Sequence, residues 1–437
     1  MQTYCTTSQT LFVVLDIGKN VHWLGGYRGF GLQPVVEPLA VRSDRSGFAQ
    51  VTTVVDALLV SGDYDQVILG HEPSGVYHEA WARALYERYV SARPAEAQPP
   101  VIYRYLNPLL SKRAREQLTQ GRLRKTDRLD LVAIARCLRE GDGQPAYLPT
   151  VAALRFQRWG ENYRQLVQER QRLTVALLSQ LDRLWPGAVV NVRRFQQMHP
   201  DLDVPVPLVL SKPLERERVQ AILCHCPNPY EFLALSETGV QAFFRTHLGR
   251  SGPATARLAY QVAQNAILPP PDIAVLLAEE LQADFQHYLA LAQRLAQLQQ
   301  QVYTLLPGSP AEVLTTIPGV SPFLAARYLA YVGHPQRFDK ASQIWAFAGF
   351  DPVTAESGDA RRIGHISCKG RPGFRDTLFL IGLHTANHLP AFAQTKQQAL
   401  TRGKGHVAAI IHVAHRANRL CHHLLYHQVP FDPDQVR

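Results

Sequence analysis

The chemistry that this sequence could perform begins with acidic residues that lie far apart along the chain. Asp127 and Asp130 stand three residues apart at the start of a helical apolar pattern, within "GRLRKTDRLDLVAIARCL" at residues 121–138. Like charges one helical turn apart repel each other, and a cation normally relieves that repulsion. The cation could be a nearby arginine or a divalent metal ion.

Two further acids follow apolar runs that are typical of buried strands. Asp16 ends "LFVVLD", and Glu72 follows "VILGH". If these strands are neighbours in one sheet, both acids can meet Asp127 and Asp130 at the carboxyl ends of the strands. Carboxylate oxygens suit Mg²⁺ or Mn²⁺. Two such ions about 4 Å apart can activate a nucleophile and stabilise a leaving oxygen in phosphodiester chemistry.

Basic residues surround the paired aspartates and allow a simpler interpretation. Residues 104–139 contain ten Lys or Arg and three acids. The cations could neutralise the two aspartates on a solvated helix face, or they could bind phosphate while the acids bind metal. Spacing alone leaves both interpretations open. The candidate nucleic-acid-binding residues here are Arg122, Arg124, Lys125 and Arg128.

A serine lies close to a second basic cluster in "ESGDARRIGHISCKGRPGFRDTL", residues 356–378. Ser357 stands in what we expect to be an irregular segment. A serine hydroxyl attacks phosphorus only when it is activated, and arginines can stabilise the charge that then develops. Ser367 is a competing nucleophile, and an ordinary turn in a solvated basic loop is the simpler alternative. The candidate phosphate ligands are Arg361, Arg362, Lys369, Arg371 and Arg375.

The elements that must position these groups divide the chain into three predicted domains. Strands alternate with helices over residues 11–150, which indicates an α/β domain. Residues 151–310 contain two long leucine-rich helical patterns, at about 154–185 and 273–306, that could pair as a coiled coil. They flank a helical insert at residues 187–272, whose role the sequence does not disclose.

The third predicted domain spans residues 311–430 and begins with a helix-hairpin-helix pattern. "TTIPGVSPF" ends one helix and starts another, with Ser321 as a helix N-cap. The turn amides at Gly319 and the start of the second helix could bind a phosphate. An ordinary helical hairpin that binds no phosphate is an alternative explanation of the same sequence pattern.

Composition narrows the class of protein. Forty-six Lys and Arg against 36 Asp and Glu give a net charge of +10, which suits a polyanionic partner. Six cysteines without framework spacing favour a reducing, cytoplasmic environment. The first residues do not resemble a signal peptide, and no apolar run is long enough to span a membrane. We therefore expect a soluble protein without a membrane partner.

Two motif blocks resemble the DEDD insertion-sequence transposases, a family that also contains the Piv-type DNA invertases. The first block comprises "VVLDIGK", "HEPSGVYH" and "NPLLSKRAREQ…RKTDRLDLVAIA". The second comprises "IPGVSPFLAARYLAYVG", "RFDKASQIWAFAGFDP" and "ESG…RRIGHISCKGRPGFRDTL". The likeness covers about residues 11–140 and 311–420.

The resemblance implies a RuvC-like, ribonuclease-H-type N-terminal domain in which Asp16, Glu72, Asp127 and Asp130 bind Mg²⁺ or Mn²⁺. It implies a helical C-terminal transposase domain whose Ser357 forms a transient phosphoserine link to DNA. It also implies donor and target DNA, a structured guide RNA (the bridge RNA) and assembly as a dimer or tetramer, in a bacterial or archaeal cell at the nucleoid.

The resulting prediction is an RNA-guided DNA transposase or recombinase. The first alternative is a metal-dependent, structure-specific endonuclease similar to a junction resolvase, which would use water instead of a serine. The second alternative is a non-enzymatic nucleic-acid-binding protein that uses the helix-hairpin-helix and the basic faces.

Overall fold

The computed structural model describes residues 4–73, 75–120, 126–203, 212–249, 252–357 and 360–435, without the side chains of 352–365 and 435. The chain separates into two compact units, Met1–Leu148 and Pro149–Arg437. The division of the second unit into two domains stays a prediction. Within the described part of the chain, no helix is both long and apolar enough to cross a membrane.

The first unit contains a mixed sheet with the order β3-β2-β1-β4-β5-β6. β1 pairs in parallel with β4, which pairs in parallel with β5, whereas β2 and β3 are antiparallel to their neighbours. This arrangement agrees with an N-terminal ribonuclease-H-like domain. The strands are β1 (Thr10–Ile17), β2 (Val21–Arg28), β3 (Gln33–Arg42), β4 (Gln66–His71), β5 (Val101–Tyr105) and β6 (Gln144–Pro145).

Side chains that alternate along the strands build a core on each face of this sheet. Leu11, Val13 and Leu15 of β1 lie on the first face, with buried side chains of α1 and α2. Phe12 and Val14 lie on the second face, with buried side chains of α3 and α4. The helices are α1 (Arg45–Val60), α2 (His78–Tyr86), α3 (Pro108–Leu118) and α4 (Asp127–Arg139).

Strands β1, β4 and β5 match the three strands expected from the apolar runs. β2 and β3 were not expected. β2 contains Gly25 and Gly26 and few β-branched residues, and β3 is mostly half-buried or exposed, so neither has a strong strand pattern.

The second unit is mainly helical and contains two hydrophobic cores. Two long helices, α5 (Val151–Leu184) and α11 (Pro271–Leu305), lie antiparallel and contribute side chains to both cores. The indole nitrogen of Trp159 donates to the carbonyl of Leu298 at 2.8 Å near one end. Near the other end, Gln180 donates to Asp284 at 2.8 Å. The two predicted long helices are therefore present and paired.

Shorter helices complete the two cores of this unit. Those between α5 and α11 are α6 (Val192–Met198), α7 (Glu217–His225), α8 (Pro229–Ala234), α9 (Ser236–Leu248) and α10 (Pro253–Asn265). Those after α11 are α12 (Pro322–Val332), α13 (Ala341–Ala348), α14 (Pro372–His388), α15 (Pro390–Thr401) and α16 (His406–His427).

The C-terminal region departs from the expected all-helical domain in one place. Strands β7 (Pro352–Ser357) and β8 (Ala360–Ile366) form an antiparallel hairpin. The expectation that Ser357 lies in an irregular segment is therefore wrong, because Ser357 is the last residue of β7. Backbone pairing between the two strands supplies order that the polar sequence does not indicate.

Gly70 sets how closely α4 approaches the sheet. A Cβ atom at Gly70 would lie 2.5 Å from Cδ1 and 3.0 Å from Cδ2 of Leu138, which is fully buried on α4. A larger residue in β4 would push α4 outwards, together with the acids at its start.

We predict that Gly70→Val lowers the free energy of unfolding by about 1–3 kcal/mol through overpacking against Leu138. The change is measured by urea denaturation of the full chain. Gly31→Val is the matched control, because the nearest atom to a Cβ at Gly31 is Cγ of Gln33 at 4.0 Å. Equal loss of stability in both variants would contradict the packing argument.

Candidate carboxylate site

Asp16 and Glu72 are brought together by the pairing of β1 with β4. The last paired residues of this parallel ladder are Leu15 and His71; Asp16 is the next residue of β1, and Glu72 directly follows the end of β4. Neighbouring strands lie about 5 Å apart, so the two acids begin from adjacent backbone positions. Asp16 continues the alternation of Phe12 and Val14 and therefore belongs to the sheet face covered by α4.

The two aspartates of helix α4 lie in different environments. The hydroxyl of Thr126 accepts a hydrogen bond from the amide of Leu129 and caps the helix. Asp127 is the first helical residue and is exposed, whereas Asp130 is 7% exposed. Acids in the first turn are favoured by the helix dipole. The expectation that both aspartates share one face therefore holds in spacing but not in burial.

Helix α3 supplies polar partners to two of the acids. The hydroxyl of Ser111 donates to the carboxylate of Glu72. One turn later, the guanidinium of Arg115 donates to the carboxylate of Asp130 and forms an ion pair with it. The cation that neutralises Asp130 is thus an arginine of a neighbouring helix. Arg115 is one of the ten basic residues of 104–139, but it is not one of the four candidates named from the sequence.

The ligand types fit a divalent metal ion, and in the described structure the carboxylates are not gathered around one point. Carboxylates of Asp16, Glu72 and Asp130 lie at one end of one sheet face and are the oxygen ligands that Mg²⁺ prefers. Among the residues that the structure describes, however, no three Asp, Glu, His or Cys side chains form a group that could hold a metal ion. Asp130 is occupied by Arg115 instead.

The basic residues predicted beside the aspartates are only partly described. Arg128 is exposed in the first turn of α4, where it could reach a phosphate. Arg122, Arg124 and Lys125 lie outside the described residues. Their role in binding nucleic acid stays a prediction.

Ser357 and its neighbouring arginines are located only by their backbone. In the β7–β8 hairpin Ser357 pairs with Ala360, and Glu356 pairs with Arg361. Arg362 follows on β8. The side chains of these residues are outside the described part of the chain, so their proposed roles in catalysis and phosphate binding stay predictions.

Ser367, the competing nucleophile, has a defined environment. Its hydroxyl donates to Oδ1 of Asp351 at 2.5 Å, and its amide donates to the carbonyl of Asp351 at 2.7 Å. The hydroxyl also accepts from the amide of Lys369 at 3.3 Å. These bonds fix the end of β8 to the segment before β7, which gives Ser367 a structural use.

The basic residues after the hairpin differ in how far they are available. Lys369 is exposed. Arg371 lies over the ring of Phe347, with 5.8 Å from Cζ to the ring centroid. Nη1 of Arg375 donates to the carbonyls of Ala348 at 3.0 Å and Cys368 at 3.4 Å. Arg375 thereby satisfies one carbonyl at the end of α13 and one just after β8, so its predicted contact with phosphate competes with a structural one.

Gly319 has a packing role in the predicted helix-hairpin-helix. Its φ is +91°, and a Cβ there would lie 2.8 Å from the carbonyl oxygen of His384 on α14. The element before the turn is a 3₁₀ helix, Pro310–Thr316, and α12 follows with Ser321 as its N-cap. Phosphate binding at this turn stays a prediction.

Comparison with known proteins identifies two segments of the chain. Residues 13–186 match the model of the DEDD transposases of IS110, described as a transposase. Residues 311–397 match a second model, described as transposase of the IS116/IS110/IS902 family. These two segments are similar to transposases of the IS110 and IS116 insertion elements. All four acids lie in the first match, and Ser357 lies in the second.

The curated relatives are matched over only part of their own length. The IS116 uncharacterised 44.8 kDa protein of Streptomyces clavuligerus is 31% identical over 193 residues, 42% of this chain and 47% of that protein. The IS110 uncharacterised 43.6 kDa protein of Streptomyces coelicolor is 31% identical over 118 residues, 27% and 29% respectively. The chain thus spans less than half the length of these two relatives.

One solved structure also resembles part of the chain. It is T. thermophilus RuvC in complex with a Holliday junction substrate, at 18% identity and a TM-score of 0.23. The alignment covers 31% of this chain and 99% of that one.

Sequence reasoning missed Ser111 and Arg115 as partners of the acids. The signal was present, because "SKRAR" places Ser111 and Arg115 four residues apart and therefore on one helix face. It could be interpreted only once α3 was known to pack against α4.

His71, directly before Glu72, was also missed. Its side chain is fully buried on the opposite sheet face, where Nδ1 lies 3.1 Å from the hydroxyl oxygen of Tyr103. Burial, followed by the charge of His78, lowers the pKa of His71 to about 3. The ring is therefore neutral at neutral pH and supports the end of β4 that carries Glu72.

We predict that His71 makes stability fall as the pH drops below 6.5. The unfolded chain takes up a proton near pH 6.5 and the folded chain does so only near pH 3. The unfolded state therefore binds more protons across this window, and about 2 kcal/mol of stability is lost by pH 5.

Urea denaturation of His71→Phe between pH 7 and pH 4.5 measures this contribution, and we expect a shallower pH dependence than in the unsubstituted chain. His406→Phe is the control, because His406 is exposed at the start of α16. An unchanged slope in His71→Phe would show that His71 is not the group responsible.

Proposed function

We propose that this chain cuts and rejoins the DNA of an insertion sequence as a transposase or recombinase. The observation that carries the proposal is the placement of Asp16, Glu72 and Asp130 at one end of one sheet face. These residues are up to 114 positions apart in the chain. Family matches over both the acid-bearing segment and the Ser357-bearing segment support it.

Ser357 is the proposed nucleophile of the strand-transfer reaction. Its hydroxyl oxygen attacks a phosphorus of the DNA backbone, loses its proton, and displaces a deoxyribose oxygen, which leaves with a proton as a free hydroxyl. The phosphoserine ester conserves the energy of the broken bond. Attack by a hydroxyl at a DNA end then restores the serine and forms the new phosphodiester.

Cations and acids of this chain have separate roles in the proposal. Exposed Arg128 and Lys369, together with Arg361 and Arg362, bind DNA phosphates. The carboxylates of Asp16, Glu72, Asp127 and Asp130 form the proposed metal site, which lies within the first unit. Mg²⁺ or Mn²⁺ is the proposed cofactor, which when bound would supply positive charge for the developing phosphorane.

Partners beyond DNA belong to the finer part of the proposal. The family resemblance implies donor and target DNA, a structured bridge RNA as guide, and assembly as a dimer or tetramer. The net charge of +10 supports polyanionic partners of either kind.

A hydrolytic endonuclease is a second candidate. It is favoured by one observation: all four candidate acids lie in the first unit, whereas Ser357 lies in the second. Carboxylates and water would suffice for that reaction, and no covalent link between protein and DNA would form.

We predict that Ser357→Ala abolishes a covalent protein–DNA species, which runs more slowly than free DNA on a denaturing gel with end-labelled substrate. Asp16→Asn and Glu72→Gln should each lower strand cleavage by about 100-fold or more, because each removes a charge needed in the transition state. The assay contains Mg²⁺, element-end DNA and RNA transcribed from the element.

Ser367→Ala is the matched control for the nucleophile and should still form the adduct. Cut DNA with free ends and no adduct in the unsubstituted chain would favour the endonuclease. Full activity in Ser357→Ala would exclude that serine, and full activity in Asp16→Asn would exclude the carboxylate site.

A further inference from the structure

We infer that Arg115 occupies the place of a divalent cation at Asp130 and competes with metal ions for that carboxylate. The inference rests on the proposed carboxylate site and adds to it a residue that controls access of the metal. The starting point is a contrast. The acids are of the type that binds a metal ion, yet among the described residues no three potential ligands form a metal-binding group.

Burial makes a cation at Asp130 necessary. The side chain of Asp130 is 9% exposed and that of Arg115 is 21% exposed. A carboxylate removed from water to this extent is costly unless a cation or several hydrogen bonds compensate it. In the described structure the compensation comes from the guanidinium of Arg115.

The ion pair is held by the helices that carry its two members. Arg115 lies in the last turn of α3, where a cation is favoured, and Asp130 lies in the first turn of α4, where an anion is favoured. Thr126 caps the start of α4, and the amide and hydroxyl of Thr119 donate to the carbonyl of Arg115 at the end of α3, so neither partner stands on a frayed end. The pair therefore forms without a metal.

The same face of α3 also forms a hydrogen bond with Glu72. Ser111, one turn before Arg115, donates to the Glu72 carboxylate. Two of the four acids thus have partners on one helix face, and neither needs a metal to be satisfied. Replacing Arg115 is the specific way to free Asp130 while the bond to Glu72 remains.

A divalent ion and a guanidinium repel each other when they share one carboxylate. The ion must therefore displace Arg115 from Asp130, and breaking this bond subtracts from the affinity for the metal. Removing the guanidinium should therefore raise the affinity of the site for the metal ion. If Arg115 only stabilised the fold, its removal would not raise that affinity.

The test is Mn²⁺ binding to the full chain, measured by calorimetry without nucleic acid. We expect Arg115→Gln and Arg115→Met to bind Mn²⁺ about 10- to 100-fold more tightly than the unsubstituted chain, which corresponds to one charge-assisted hydrogen bond. Arg115→Lys, which keeps the charge, should bind more weakly than either. Arg113→Met is the matched control, an exposed arginine on the same helix.

A second readout protects the test against variants that fold poorly. Without metal, Arg115→Met should have a lower thermal unfolding midpoint, because Asp130 is left without its cation. Saturating Mn²⁺ should raise that midpoint by more than it does in the unsubstituted chain. Arg115→Gln can still donate one hydrogen bond to Asp130 and should be the more stable of the two.

The outcomes separate this inference from the proposed function. Equal Mn²⁺ affinity in Arg115→Gln and Arg113→Met, together with loss of binding in Asp16→Asn, would overturn the inference and leave the carboxylate site intact. Unchanged binding in Asp16→Asn, or no binding in any variant, would overturn the carboxylate site itself. Binding that appears only when Arg115 is replaced would support both.

Discussion

The first unit is organised by the close contact between α4 and one face of the sheet. Gly70 in β4 leaves room for Leu138, and Gly25 in β2 leaves room for Leu131, so the helix lies directly on the strands. Burial of these leucines fixes α4, and with it the depth of Asp130. The position of a charged group is thus set by apolar packing, which is stronger than any preference of the carboxylate itself.

Once Asp130 is buried, its charge determines what surrounds it. A carboxylate at this depth requires a cation, and α3 supplies Arg115 from a helix that also binds Glu72 through Ser111. Two of the four acids are therefore satisfied by partners on α3. In the proposed metal site, the ion pair that stabilises the metal-free chain opposes binding of a divalent ion at Asp130.

In the second unit, some basic residues contact other parts of the fold instead of being available to bind a ligand. Arg375 donates to two backbone carbonyls, and Arg371 lies over Phe347. Lys369 and Arg371 are exposed, whereas Arg375 is half-buried. Basic composition alone therefore overstates the surface that could bind phosphate, since part of the positive charge completes the fold.

The sequence by itself was enough to identify the candidate acids, the strands that lead to Asp16 and Glu72, and the two long helices. These follow from apolar runs and leucine spacing, which are local signals. Only the tertiary structure decided that Arg115 is the partner of Asp130, that Asp127 is exposed, and that Ser357 ends a strand of a hairpin. Each of these depends on contacts between segments distant in sequence or on pairing between two strands. The burial that selects a charge partner cannot be known until the helices are packed.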